Sequence, residues 1–274
     1  MGSIPEGTRL AVPVSTGLVL LIVCVLMGGT SERAWAQDAP TKTVDQQFEV
    51  WFGYMTQTRI SDRISLWADA HFVPGAFYVL RPGVTFHVND AFNMTAGYGY
   101  LGLSAGSLTR ELKRTEHRPW AQTVFSSPIS EHWGFLQRIR YDGRFRRNVA
   151  DNQLADGFSF VNRLRFLVNF RYSLHQLRFG DDFLPYVTFG NEILFNFGSS
   201  VVFNHFDQNR VTAGLGLSRK GVSVQLGYMN RYVQLASGNR FVMNHTLIFW
   251  VFHNIDLRRD HAPDPTDDEA ASMP

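Results

Sequence analysis

Cysteine and lysine are scarce in this chain of 274 residues, which contains one cysteine, Cys24, and three lysines. Cys24 lies in the N-terminal segment that we expect to be removed on export, so the remaining 238 residues have no thiol. This absence excludes a fold held together by disulfides and a metal site built on thiolates. The formal net charge of +2 is too small to indicate a nucleic-acid partner.

Long apolar runs are also absent after residue 36, so no transmembrane helix is predicted there. The one long run, residues 10–29, is interrupted by Pro13 and followed by Ala34-Trp35-Ala36, which has small residues at both positions that a signal peptidase requires. We therefore predict a cleaved signal peptide over residues 1–36 and export from the cytoplasm. An uncleaved anchor helix is the alternative, because the run approaches the roughly 20 residues that span a bilayer.

Arginine and bulky apolar residues alternate with a period of two in two segments, 135–145 and 162–172. Because successive side chains of a strand point to opposite faces, each segment would have one apolar and one largely cationic face. A soluble sheet buries its apolar face, whereas a membrane barrel turns that face toward lipid and keeps the charges inside. The export signal, the 14% aromatic content and the scarcity of lysine favour the barrel over a soluble sandwich.

The alternation continues from Gln46 to about Phe252 in eleven segments, with no convincing helical stretch. We predict an all-β fold, a transmembrane antiparallel up-and-down β-barrel of ten to twelve strands. Twelve is preferred, because two chain ends on the periplasmic side require an even number. The barrel is expected over residues 46–255, between a flexible lead-in at 37–45 and a disordered charged tail at 256–274.

Short turns and longer loops are predicted to alternate along the barrel. The short turns are Asn89-Asp90, Ser127-Pro128 and Arg219-Lys220, and the longer loops are residues 104–118, 147–156, 198–207 and 235–240. Short periplasmic turns opposite longer outer loops are typical of outer-membrane barrels. The predicted location is therefore the outer membrane of a Gram-negative bacterium.

An ordered series of short motifs runs through the chain. It comprises Arg81-Pro82-Gly83, Gly97-Tyr98-Gly99-Tyr100, Glu116-His117-Arg118-Pro119-Trp120, Arg138-x-Arg140-Tyr141, Asn191-Glu192-Ile193-Leu194-Phe195, Phe206-Asp207-Gln208-Asn209-Arg210, Gly227-Tyr228-Met229-Asn230-Arg231-Tyr232 and Asn244-His245. Together these motifs resemble the bacterial family catalogued as domain of unknown function 2490, over nearly the whole exported chain. The resemblance implies an outer-membrane β-barrel and no established activity.

Parity along the segments predicts a barrel interior rich in arginine. The candidate lumen-lining residues are Arg138, Arg140, Asp142, Arg144, Arg163, Arg165, Arg171, Glu192, Asn196, Arg210 and Arg231. In total, parity assigns nine arginines and five carboxylates to the interior face, with Glu131 counted among the five. In one interpretation, arginines and carboxylates pair across strands and plug the lumen. In the other, the excess of arginine lines a narrow passive channel for small anionic or polar solutes.

A lipid-modifying hydrolase of the outer leaflet is the alternative from another functional class. Such an enzyme needs a Ser–His pair with an orienting acid on the lipid-facing wall. Ser173 and His175 share a strand face, but no orienting acid is identified nearby, and Asp69 and His71 are more simply a solvated pair in the lumen. No catalytic residue, metal site or cofactor is predicted.

The expected partners follow from the predicted location. They are the lipids of the outer membrane, the barrel-assembly machinery during biogenesis, and a small solute that the sequence does not identify. No nucleic-acid partner is expected.

Overall fold

The computed structural model describes residues 41–104, 112–177 and 183–258. The predicted signal peptide lies outside these residues, as does nearly all of the predicted tail. The alternating segments of the sequence form eleven strands within them. They are β1 (Thr43–Arg59), β2 (Ile64–Val73), β3 (Phe77–His87), β4 (Phe92–Ser104), β5 (Lys113–Pro128), β6 (Trp133–Ala150), β7 (Gln153–Ser173), β8 (Leu184–Phe197), β9 (Phe206–Arg219), β10 (Val222–Gln234) and β11 (Arg240–Asp256).

Each strand pairs antiparallel with its neighbour in sequence, and the sheet closes on itself between β1 and β11. This closing pair is parallel, with Thr43 opposite Arg240 and Arg59 opposite Asp256. The prediction of an all-β barrel is confirmed. The preference for twelve strands and for purely antiparallel pairing is wrong, because a parallel closing pair removes the need for an even number.

The strand directions define two rims of the barrel. The upper rim is the end at which β1 begins, and it carries the connections 74–76, 105–112, 151–152, 198–205 and 235–239. The lower rim is the end at which β1 finishes, and it carries the connections 60–63, 88–91, 129–132, 174–183 and 220–221. Since β1 and β11 run in the same direction, the first strand begins at the upper rim and the last strand finishes at the lower one.

The predicted alternation of short turns and long loops is wrong in several places, one of them Ser127-Pro128, which was predicted as a turn and is the end of β5. The predicted loop 147–156 is a hairpin whose turn residues, Asp151 and Asn152, have φ of 48° and 62°, the left-handed conformation that tight hairpins require. The predicted loop 104–118 ends earlier, because β5 already begins at Lys113. In addition, a short 3-10 helix, His175–Leu177, follows β7 at the lower rim.

The side chains divide between the two faces of the barrel wall in the opposite way to a soluble protein. Large apolar side chains face outward and are exposed, as Leu80, Phe189 and Leu215 illustrate, whereas charged side chains such as Arg140 and Asp142 are buried inside. A soluble protein exposes its charges and buries its large apolar side chains. No helix in the described part of the chain combines the length and the apolar character needed to span a bilayer.

Candidate functional site in the barrel lumen

All eleven residues proposed from the sequence face the interior of the barrel. Eight of them are buried, and Arg138, Arg210 and Arg231 are partly buried. They are contributed by five consecutive strands, β6 to β10. The alternation that the sequence shows therefore brings these residues together on one wall of the lumen.

Glu192 of β8 is the centre of the first charge cluster. Arg165 donates to both of its carboxylate oxygens at 2.8 and 2.9 Å, Arg138 donates to Oε1 at 2.9 Å, and Arg210 donates to Oε2 at 3.1 Å. Arg210 lies opposite Glu192 on the neighbouring strand, while Arg138 reaches over Leu167 from two strands away. Three guanidinium groups therefore share one carboxylate.

Glu116 of β5 is the centre of a second cluster of the same form. Arg144 donates to its two oxygens at 2.9 and 3.0 Å, Arg146 donates at 2.8 Å, and Arg118 donates through both Nε and Nη2. Glu116 is fully buried. Sequence reasoning placed Glu116 and Arg118 in a loop and therefore missed this cluster. The parity of Glu116, Arg118 and Trp120 was the signal that would have found it.

Asp142 lies between the two clusters and connects them electrostatically. Its Oδ2 is 3.6 Å from Arg165 Nη1 and 4.0 Å from Arg118 Nη1. At the side of the network, Arg163 pairs with Asp207 at 2.8 Å. Asp207 was not assigned to the interior from the sequence.

The assignment of Glu131 to the interior is wrong. Glu131 lies in the exposed turn between β5 and β6. The carboxylates inside the barrel are therefore a different set from the one that parity suggested.

Arg140 differs from the other arginines of the network. Its Nε and Nη2 donate to Gln122 Oε1 at 2.8 and 2.5 Å, and its guanidinium lies 4.6 Å from the centre of the Trp120 ring. No carboxylate of the described residues lies within 4.0 Å of it, and its Nη1 has no hydrogen-bond partner there. Among the described residues, Arg140 is a buried cation held by an amide and an indole ring and not by direct contact with a carboxylate.

Asp69 and His71 of β2 form a buried polar group on the opposite wall, rather than the solvated pair expected from the sequence. Arg81 and Trp67 donate to the two oxygens of Asp69 at 2.7 and 2.9 Å. The indole of Trp51 donates to Nδ1 of His71 at 3.1 Å. Nδ1 therefore accepts a hydrogen bond, which places the ring proton on Nε2, 3.7 Å from Asp69.

A cavity of about 200 Å³ lies between these two walls. One side is lined by the arginines of the network, and the other side is mainly apolar. The apolar side comprises Trp51, Met55, Phe77, Val79, Leu101, Leu103, Met229 and Trp250.

Packed side chains fill the lumen between this cavity and the lower rim. Tyr186 is buried there with its ring 4.0 Å from the Arg171 guanidinium. The ring lies against Gly216, where a Cβ atom would come within 2.2 Å of it. Val124, Leu136 and Leu167 form a small apolar cluster on the inner face of β5 to β7.

The geometry does not support the hydrolase alternative. Ser173 is buried on the inner face of β7, while His175 has left the strand and lies in the 3-10 helix. A hydrogen-bonded Ser–His pair does occur elsewhere, at 2.7 Å between Ser65 Oγ and His87 Nε2. However, Ser65 is fully buried on the inner face, and within the described ranges no carboxylate is hydrogen-bonded to His87.

The fold and the site together define a class, a closed eleven-stranded β-barrel with an apolar exterior and an interior of interlocked arginines and carboxylates. The chain belongs to the family described as "Protein of unknown function (DUF2490)", whose profile matches residues 48–242. The family resemblance predicted from the motifs is thereby confirmed. The comparisons with curated proteins and with solved structures gave no match.

Proposed function

We propose that this chain is an outer-membrane β-barrel whose lumen is closed at rest by its arginine–carboxylate network. In this proposal the barrel acts as a structural or ligand-binding protein of the membrane and not as an open pore. The observation that carries the proposal is the inverted polarity of the wall, with apolar side chains outside and buried, paired charges inside.

The exterior supports the membrane part of the proposal. A strand of about 9 to 11 residues spans the hydrocarbon core when tilted, and ten of the eleven strands have more than ten residues. Aromatic and histidine side chains pair on the outer face toward both rims, with Tyr98 hydrogen-bonded to His117 and Tyr54 to His253. Such residues are enriched where a barrel wall meets the membrane interface. The predicted signal peptide favours the outer membrane.

The interior supports the closed state. Charged groups of β5 to β9 pair with one another between neighbouring strands on the inner wall, and the buried side chains of Tyr186 and Arg171 pack together nearer the lower rim. A narrow anion-selective channel is the second candidate, favoured by the excess of arginine around the cavity.

Conductance in planar bilayers tests the closed state. Residues 37–274, refolded and shown to be folded by heat-modifiable gel migration, are expected to produce no discrete openings. A porin refolded in the same way is the positive control for insertion. Discrete openings with anion-selective reversal potentials would reject the closed barrel and support the narrow channel.

Cell fractionation tests the location and the processing of the chain. Expressed in a Gram-negative host, the chain is expected in the outer-membrane fraction with the mass of residues 37–274. A variant with Ala34→Leu and Ala36→Leu lacks the small residues of the cleavage site and is expected to keep the mass of the full chain. Recovery of the unaltered chain at full mass in the inner membrane would contradict the proposal.

A further inference from the structure

We infer that the lumen cavity is a binding site for a small organic anion that carries one acidic head group on an apolar body. This inference goes beyond the proposed function and holds for the folded barrel whether or not it ever conducts. It rests on the charge around the cavity, on Arg140 and on the apolar wall.

The charge around the cavity is not balanced by the carboxylates of the described residues. Nine arginines line it, namely Arg81, Arg118, Arg138, Arg140, Arg144, Arg163, Arg165, Arg210 and Arg231. Within the described residues, the carboxylates paired with them number six, namely Glu49, Asp69, Glu116, Asp142, Glu192 and Asp207. Among the described residues, three positive charges are therefore left over around the cavity. Buried charge without a counter-ion is unfavourable, so the site favours an anion.

Arg140 is the group best placed to receive the acidic head. It lines the cavity, has no carboxylate within 4.0 Å among the described residues, and has one nitrogen without a hydrogen-bond partner. Gln122 and Trp120 already fix its orientation, so little conformational freedom is lost when an anion binds. A guanidinium group presents parallel donors that match a carboxylate.

The opposite wall suits an apolar body. Trp51 lies at the boundary between the charged and the apolar sides of the cavity. The Arg210 guanidinium lies 5.3 Å from its ring, and the Phe77 ring packs edge-on against it at 4.9 Å. Beyond Trp51 the lining consists mainly of aliphatic and aromatic side chains, including Leu101 and Met229. The cavity of about 200 Å³ exceeds the volume of about 150 Å³ that accommodates benzene in an engineered apolar site. A six-membered ring with a short acidic arm matches this space.

Calorimetric titration with 4-phenylbutyrate tests the inference. Residues 37–274 are refolded into nanodiscs of zwitterionic lipid, and empty nanodiscs give the background from partitioning into lipid. Two further probes separate the contribution of the negative charge from that of the apolar body. 4-Phenylbutanol lacks the charge, and acetate lacks the apolar body. We expect 4-phenylbutyrate to bind at least tenfold more tightly than either. Absence of saturable 4-phenylbutyrate binding, or equal binding of the alcohol, would overturn the inference.

The substitution Arg140→Gln tests the head-group site without leaving a carboxylate unpaired, since Arg140 has none within 4.0 Å among the described residues. We expect at least a tenfold loss of 4-phenylbutyrate affinity. Arg147→Gln is the matched control, because it removes one positive charge from a partly exposed arginine of the β6–β7 hairpin. An equal loss in both variants would show that only the net charge matters and would overturn the site.

A second substitution, Leu101→Trp, tests the apolar wall and does not depend on whether Arg140→Gln folds. The larger ring fills the apolar half of the cavity, so 4-phenylbutyrate is expected to lose at least tenfold in affinity. Unchanged affinity in a folded Leu101→Trp variant would overturn the placement of the ligand. Binding in nanodiscs does not depend on conductance or on cellular location, so failure of this inference and failure of the proposed function are distinguishable.

Discussion

Individual arginine side chains determine the character of this barrel's interior. Glu116 and Glu192 each receive hydrogen bonds from three arginines. A lysine could not replace these arginines, because the planar guanidinium presents several donors in fixed directions and can satisfy two acceptors at once. The scarcity of lysine noted in the sequence therefore has a structural reason.

Removal of the Glu116 carboxylate is predicted to destabilise the barrel strongly. The substitution Glu116→Gln leaves Arg144 and Arg146 without their paired carboxylate in a buried site. Breaking a buried ion pair from one side typically costs about 3–5 kcal/mol. The measurement is the free energy of unfolding in guanidinium chloride, followed by tryptophan fluorescence of the barrel in lipid vesicles.

Glu131→Gln is the control for this prediction, since Glu131 lies in an exposed turn. An exposed substitution of this kind is expected to change the free energy of unfolding by no more than about 0.5 kcal/mol. If the two variants lose the same stability, the Glu116 cluster does not hold the barrel together.

The residues of the site were predictable to different degrees. Parity placed six arginines of β6 and β7 correctly, because these strands alternate over ten or more residues, but it missed Arg146, which donates to Glu116. Glu116 and Asp207 escaped, since each lies close to the start of its strand and next to a polar connection. There the alternation is too short to be distinguished from a loop. The cavity and the isolation of Arg140 depend on contacts between distant strands, which no local pattern contains.

The closure of the barrel differs from the even strand number that was expected from the sequence. The alternating segments number eleven, and the structure contains eleven strands. The assumption that both chain ends lie on one side was wrong, and it turned a correct count into a preference for twelve. The missed β6–β7 hairpin has a local reason, a register shift between Arg147 and Val149 that interrupts the alternation just before the turn.

The parallel register of β1 and β11 is testable by cross-linking. Val50 and Leu247 are opposite each other in this register and face outward. Neighbouring strands lie about 4.8 Å apart, a distance that a disulfide can bridge. The double variant Val50→Cys with Leu247→Cys, in the chain from residue 37 onward, is expected to form an intramolecular disulfide on oxidation. The readout is a mobility shift in denaturing gels that reductant reverses.

The offset pair Val50→Cys with Val251→Cys is the matched control. Val251 lies opposite Tyr54, four residues along the strand from the Val50 position, and is therefore about 13 Å away. We expect no cross-link in this variant. A cross-link in the offset pair alone would mean that the register of the closing pair differs from the one described.

The barrel as a whole is organised as an apolar shell around a charged interior. If this shell faces lipid, a cation introduced on the outer face of a strand, away from the rims, must enter the hydrocarbon. Leu215→Arg in β9 is therefore predicted to destabilise the barrel in a bilayer by about 2–4 kcal/mol. Leu215 is 66% exposed, so the substitution disturbs little internal packing. The measurement is the unfolding free energy in lipid vesicles.

Val202→Arg is the matched control for Leu215→Arg. Val202 is 68% exposed, nearly the same as Leu215, but lies in the upper-rim connection 198–205. Its substitution is expected to be close to neutral, since a rim side chain remains in contact with water. Equal effects at the two positions would show that the strand exterior is not in contact with hydrocarbon.

The closing pair of strands also has a consequence for how copies of the chain meet during folding. β1 and β11 pair over 17 residues each. They are also the two strands furthest apart in sequence, so we expect their pairing to form last and most slowly. Until then the sheet has two open edges that run in the same direction. The edge of one copy fits the opposite edge of another in the same register. Two chains that exchange edges would form one ring of twenty-two strands, a swapped dimer that satisfies the same hydrogen bonds as two separate barrels.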